Sequence, residues 1–467
     1  MPAHSAAAEA LGTEKIGKLL FQYSLPAIIA MTASSLYNVI DRIFIGHGVG
    51  PLAISGLALT LPLMNLAIAF GALVGAGAAS LVSIRLGERR RDEAARILGN
   101  TVLLNLMLSS ALAVVMLVFL DQILYLFGAS RETLPYAKQF MQIILVGNVF
   151  MHSYLGLNNI MRASGYPKKA MVATLITVGL NVLLAPLFIF VFHWGIRGAA
   201  LATVTVQITG LAITVRHFSR RDSYVRFLAH HFTLDFRIIR DIISMGMSNF
   251  IVNLCACLIA IVMNLQLVTH GGDYAVGAFG IINSILMCAV MIVLGLTQGM
   301  QPIAGYNYGA RQFGRVTRVF RDAAIAATCI TALGFLAAEL FPRQIALAFT
   351  GNPQLVELAT RGMRLALAVF PIVGFQIVTS NFFQAIGRPK ISILLTMSRQ
   401  VIFLLPALFL LPRSFGLAGV WAAIPVSDVA AFCLALVVWK LQVRSLKADA
   451  ETRNGRPERL VESESLT

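Results

Sequence analysis

Apolar runs long enough to cross a bilayer recur throughout this chain, and they limit its fold more than any other feature. A spanning helix needs about 20 consecutive, mainly apolar residues. Twelve such runs lie near 17–46, 51–84, 97–120, 134–161, 168–192 and 195–216, then 238–268, 274–305, 322–341, 355–386, 390–412 and 417–441. Of the 467 residues, 58% are hydrophobic and only 12% charged. A soluble protein of this length carries about twice that charged fraction. The reading is an all-α membrane protein of twelve transmembrane helices. The first sixteen residues are polar or Ala-rich and lack a compact apolar core, so no cleavable signal peptide is expected.

The net charge of +16 would suggest a nucleic-acid partner in a soluble chain. Here the basic residues cluster in alternate connections between spans: Arg85, Arg89, Arg90, Arg91 and Arg96; Arg162, Lys168 and Lys169; Arg216 to Arg240; Arg311 to Arg321; Arg388 and Lys390. The intervening connections hold one or two each, such as Arg131, Arg197, Arg343 and Arg413. The expected partner is therefore the lipid bilayer, through anionic headgroups, and no nucleic acid. By the positive-inside rule the basic connections and both termini are expected to be cytoplasmic; a plasma-membrane location and a monomeric state are also expected.

The longest connection, 217–237, divides the chain, and the halves repeat at an offset of 222. Ala53 matches Ala275, Gly77 matches Gly299, and Gly87 matches Gly309. Gly165-Tyr166-Pro167-Lys168 matches Gly387-Arg388-Pro389-Lys390, and after a one-residue slip Gly195 to Gly198 matches Gly416 to Gly419. Six spans per half is even, so both halves enter from one side and are related by an axis along the membrane normal. The expected domains are a segment 1–16, an N-lobe 17–216, a linker 217–237, a C-lobe 238–446 and a disordered tail 447–467. Two six-helix lobes related by a parallel internal repeat then flank a central cavity, with span 1 beside span 2.

Against this apolar background, ionisable groups stand out. Asp41 lies inside span 1, where a carboxylate costs about 2.5–3.5 kcal/mol on insertion scales. Tyr37 and Asn38 precede it by four and three residues and share its helical face. An ion-binding carboxylate and a structural Asp paired with Arg42 are both open readings. Arg399 in span 11 and Asp428 in span 12 are charges on adjacent spans, so a buried ion pair is expected, structural or functional. Methionines at Met245, Met247, Met263, Met287, Met291 and Met300 fit either ordinary core filling or a surface that accepts many shapes; of these, Met263, Met287 and Met291 are candidates for lining a substrate path.

His47 and His270 occupy matching connections without a visible partner. All five cysteines lie in apolar runs, and Cys255 and Cys257, two apart, do not share a helix face, so neither metal nor disulfide is expected. No Walker-type loop is present, which disfavours ATP-driven export.

The series Tyr37-Asn38-x-x-Asp41, Gly46-His47-Gly48-Val49-Gly50 with Ala53, the Gly-rich end of span 2 into Arg85-Leu86-Gly87, Arg162-Ala163-Ser164-Gly165-x-Pro167 and Gly195-Ile196-x-Gly198-Ala199-Ala200, repeated near Gly416, resembles the multidrug and toxic-compound extrusion (MATE) family across nearly all of 17–441. The resemblance implies a V-shaped pair of six-helix lobes that export small organic, often cationic, compounds in exchange for H⁺ or Na⁺, with no other cofactor. It also points to Asn181 as an ion-coupling partner of Asp41, Tyr37 and Asn38, and to Thr203 and Gln207 in the N-lobe cavity. Some members carry a second acid in span 5 where this chain has Ala185. Another branch has acids in spans 7 and 10, where this chain offers Asn249, Asn253, Gln376 and Asn381. Gln376 is retained as a candidate lining residue, and Asp41 is left as the main coupling carboxylate. The competing readings are an exporter of lipid-linked or metabolite substrates on a related fold, an integral-membrane enzyme, and a channel. An enzyme would show a cluster of His, Asp or Glu at one membrane face, and a channel does not predict the two-lobed repeat.

Overall fold

The computed structural model describes residues 5–127, 129–220 and 223–454, and these are almost entirely helical with no strand among them. Span 1 is Ile16–Gly48, span 2 Pro51–Gly87, span 3 Arg91–Val118, span 4 Leu134–Ala163 and span 6 Gly195–Ser219. Span 5, Pro167–Pro186, continues as a π-helical turn over Leu187–Val191. Spans 7 and 8 form one run, Phe236–Gly309, broken at Gly272, where φ is 66°. Span 9 is Phe313–Leu340, and span 10 is the pair Pro353–Ala366 and Phe370–Ala385, bent by 55°.

Ten helices are long and apolar enough to cross a membrane, and the bent pair is an eleventh span. One of the ten, Pro389–Gln442, has 54 residues. A straight helix of that length would measure about 80 Å against a hydrocarbon core of about 30 Å. It is two spans, 11 and 12, folded at Gly416, whose φ of 56° is one that a residue without Cβ adopts freely. Twelve spans result. The helix of span 12 continues to Asn454, through the first part of the segment expected to be disordered; 455–467 lie outside the described residues.

The repeat is written into the backbone. Positive φ occurs at Arg89 and Arg311, Gly50 and Gly272, Gly165 and Gly387, and Gly195 and Gly416, so four of the turns come in matched pairs. Short helices Leu120–Leu126 and Pro342–Phe349 follow spans 3 and 9 from equivalent starting residues.

The lobes meet along a glycine seam. A Cβ on Gly87 would lie 1.9 Å from the carbonyl oxygen of Tyr306, and one on Gly309 would lie 2.0 Å from that of Ile84. These contacts exchange under the offset of 222. Likewise Gly77 faces the carbonyl of Ile242 and Gly246 that of Leu73 across spans 2 and 7, while Gly295 faces Ile28 and Gly299 faces Ser24 across spans 8 and 1. A two-fold interface produces such reciprocity, residue i meeting j while j's counterpart meets i's. All of these interlobe glycine contacts fall toward the basic ends of the spans. There the first turns of span 1, with Ile16, Leu19 and Tyr23, are buried with residues of the C-lobe core, and Ile242 of span 7 is buried with those of the N-lobe. Span 1 thus packs chiefly on span 5 and the span 7–8 run rather than on span 2, correcting the neighbour expected from sequence.

Candidate functional site

The N-lobe site is built on the outer half of span 1, away from the seam. Tyr37 is placed against span 6, its hydroxyl 3.4 Å from Thr203 Oγ1, and Thr203 in turn donates to the Ala199 carbonyl at 3.1 Å. Asp41 is half-buried one helical turn beyond Tyr37 and within electrostatic reach of it. The Asn38 and Arg42 side chains lie outside the described ones. Gln207, one turn along span 6 from Thr203, has its Oε1 buried without a hydrogen bond among the described residues. Asn181 is 1% exposed in span 5, the element against which span 1 packs, and its Nδ2 has no partner there either. Ala185 is fully buried at the position of the missing acid. The structure therefore brings Tyr37, Asp41 and Thr203 together and sets Asn181 and Gln207 on the neighbouring elements. A carboxylate, two hydroxyls and two under-satisfied amides are the donor set of a proton or hard-cation site.

Span 4 contributes polar groups that sequence reading passed over. His152 is buried, with Nδ1 2.7 Å from Ser109 Oγ of span 3. Tyr154 reaches Thr174 of span 5 at 3.3 Å. Arg162 of span 4 donates to Gln298 Oε1 of span 8, tying the lobes together, and Gln301 of span 8 donates to Ser80 Oγ of span 2 at 2.6 Å.

In the C-lobe, Arg399 Nε donates to Asp428 Oδ1 at 2.8 Å, so the pair expected between spans 11 and 12 is formed. Arg399 sits in a π-helical turn, Ser398–Leu404, a local rewinding frequent at functional positions. Gln376 is buried with its Oε1 unpartnered among the described residues. Met263 is packed in the C-lobe core, whereas Met287 is exposed and Met291 half-buried. A hydroxyl cluster not foreseen joins spans 7, 10 and 11: Ser248 to Ser392 at 2.7 Å and Ser380 to Thr396 at 2.8 Å. Among the described residues, the histidines of the two matching connections bond backward, His47 to Ile43 O and His270 to Gln266 O, both at 3.0 Å. The five cysteines are free.

Two pseudo-symmetric helical lobes joined at one end, each with polar groups inside the membrane, define a multi-pass transporter. The model of the family described as MatE matches residues 26–187 and again 247–409, once in each lobe, and the chain belongs to that family of efflux transporters. It is similar to the multidrug export protein MepA of Staphylococcus haemolyticus, 28% identical over 92% of this chain and 94% of the relative. Among solved structures it resembles an outward-facing multidrug resistance MATE transporter, with a TM-score of 0.88 and 26% identity over 95% of this chain and 99% of that one. It also resembles a MOP-superfamily transporter from Pyrococcus furiosus described as having a binding pocket of reverse polarity, with a TM-score of 0.88 and 25% identity over 95% and 99%.

Proposed function

We propose that this protein is a secondary antiporter that exports organic cations and amphiphiles in exchange for protons entering through Asp41. The observation that carries this reading is a carboxylate inside span 1, grouped with Tyr37 and Thr203 in the lobe half that the seam leaves apart. Family membership and the multidrug export relatives support the substrate class. With the basic connections cytoplasmic, the glycine seam closes the cytoplasmic side, so the substrate path opens outward in this reading.

Protonation neutralises Asp41 and rearranges the face it shares with Tyr37. A cationic substrate then loses its counter-charge and leaves. Proton and substrate must each weaken the other's binding by the same factor. Each proton moving inward across 100 mV supplies about 2.3 kcal/mol, and each unit of pH difference about 1.4 kcal/mol. Together these sustain a gradient of several hundredfold for a neutral substrate, where one net charge enters per cycle, whereas one-for-one exchange with a monocation is electroneutral and draws on the pH term alone, about tenfold per unit. A Na⁺-coupled cycle through the same residues is the second reading, favoured by the unpartnered Oε1 of Gln207 as an additional oxygen ligand.

The test is uptake of a fluorescent cation into everted vesicles, or its efflux from whole cells, under an imposed pH gradient, then under a Na⁺ gradient. Asp41→Asn keeps size and hydrogen bonding but cannot ionise, so it is expected to reach the membrane and lose gradient-dependent efflux. Wild-type rates with unchanged pH dependence in Asp41→Asn would make the carboxylate structural.

A further inference from the structure

A groove of about 1000 Å³ opens on the outer side of the C-lobe, lined from Gly314 to Cys329 along span 9, by Phe375 of span 10 and by Trp439 of span 12. We propose that it holds one anionic phospholipid of the leaflet on the basic-connection side. The argument rests on how polarity is arranged along its length. Gly314 to Cys329 covers fifteen helical steps, about 22 Å at 1.5 Å per residue. Half of a bilayer's hydrocarbon core is about 15 Å and its headgroup layer adds about 5–7 Å, so the groove is as long as one leaflet is deep. Its mouth is basic, with Arg318 and Arg321, whose side chains are 64% and 65% exposed. The single Asp322 serves both, at 3.9 and 3.1 Å, leaving one net positive charge and free guanidinium hydrogens for a phosphate. Thr317 stands at the same level, its hydroxyl donating to the Phe313 and Gly314 carbonyls of its own helix. Below the rim the lining turns apolar through Ala324, Ile325 and Phe375, where an acyl chain would lie. Trp439, stacked on Phe320 with ring centroids 3.4 Å apart, is followed by Lys440, the usual order at a membrane interface.

The other half of the repeat shows what happens when the same place is filled from within. The N-lobe counterpart of Arg321 is Gly99, and there the linker lies on span 3 so closely that a Cβ would be 2.3 Å from the carbonyl oxygen of His231. His231 Nε2 meets Asp92 Oδ1 at 2.9 Å. Phe218, the counterpart of Trp439 after the one-residue slip, packs on linker Phe227. The N-lobe thus covers this surface with its own linker and has a glycine to admit it. The C-lobe has an arginine instead and leaves the groove open.

Trp439 supplies the readout. With Trp194 and Trp421 replaced by Phe, its fluorescence is followed in vesicles containing acyl-brominated phosphatidylglycerol or brominated phosphatidylcholine. We expect phosphatidylglycerol to be preferred by at least about fivefold, the worth of one basic residue near an anionic surface. Arg318→Gln with Arg321→Gln should remove that preference, and the exposure of both side chains makes loss of folding an unneeded explanation. Thr328→Phe, which fills the groove without changing charge, should reduce quenching by both lipids. Equal quenching by the two lipids, or a preference that survives the double arginine change, overturns the proposal. So does a preference that emerges only when the chain is cut after Asn454, since the C-terminal tail would then be the occupant.

Discussion

At the scale of single residues, the ion pair of Arg399 and Asp428 is unequal in a way that predicts its mutants. The Asp428 side chain is 4% exposed, the Arg399 side chain 27%. Arg399→Leu strands a carboxylate that has no route to water. Asp428→Leu leaves a long, partly exposed guanidinium that can reach toward an interface. Breaking a buried pair costs about 3–5 kcal/mol, while replacing both partners by apolar residues is often neutral. We therefore expect Arg399→Leu to be the more damaging single change, and the double Leu variant to regain most of the lost thermal stability in detergent. If both single variants retain wild-type stability but abolish efflux, the pair serves transport instead. A second prediction concerns Tyr37→Phe, which removes the hydroxyl shared with Thr203 while keeping the ring. Efflux should weaken and its pH dependence should shift, whereas thermal stability should change by less than about 1.5 kcal/mol, the net worth of one hydrogen bond. An unchanged pH profile would remove Tyr37 from the coupling group.

At the scale of elements, the seam is where helix meets helix at backbone distance, and substitutions there should act as wedges. Overpacking costs about 1–3 kcal/mol. Gly87→Ala and Gly309→Ala each place a methyl within 2.0 Å of an opposing carbonyl oxygen, whereas a Cβ on Gly17 meets nothing within 4 Å. The first two should destabilise the closed basic end and raise the labelling of a cysteine placed at Ser83. Gly17→Ala should do neither. Equal labelling in all three would mean that the seam is not the closure.

The elements also show what a sequence can and cannot disclose. Span lengths, the matched turn glycines and the pairing of Arg399 with Asp428 were legible because each depends on local composition or on adjacent spans. Tyr37 and Asp41 were legible for the same reason, one turn apart on one helix. The Ser248–Ser392 cluster and the Arg162–Gln298 tie join residues 144 and 136 positions apart, and only the packing of non-adjacent helices creates them; the Ser109–His152 contact joins consecutive spans, but a Ser and a neutral His in apolar runs carry no charge pattern that marks them as partners. The exchange of spans 1 and 7 into each other's cores was hidden for a further reason: apolar residues at the start of a span look alike whether the neighbour is lipid, the same lobe or the opposite one.

At the scale of the molecule, the proposed orientation has a direct check. Single cysteines at Gly50 and at Arg90 lie in successive connections, the first without Lys or Arg and the second rich in Arg. In a background without the five native cysteines, a membrane-impermeant maleimide should label Gly50→Cys on intact cells and Arg90→Cys only after permeabilisation. The reverse pattern would invert the sidedness and make the cavity face the cytoplasm.

The reciprocity of the seam reaches beyond this chain. Residues 16–219 alone already present both partners of the Gly87–Tyr306 contact, since Ile84 of span 2 is the counterpart of Tyr306. A protein half as long, made twice and inserted in one direction, would therefore own the centre of a homodimer interface before any linker existed. Two joined copies are free to differ, so that one carries Asp41 where the other has Met263, and one roofs its flank with the connector while the other leaves its flank open. The asymmetries between the lobes are then the record of what fusion permitted, laid over a joint that still obeys the older symmetry.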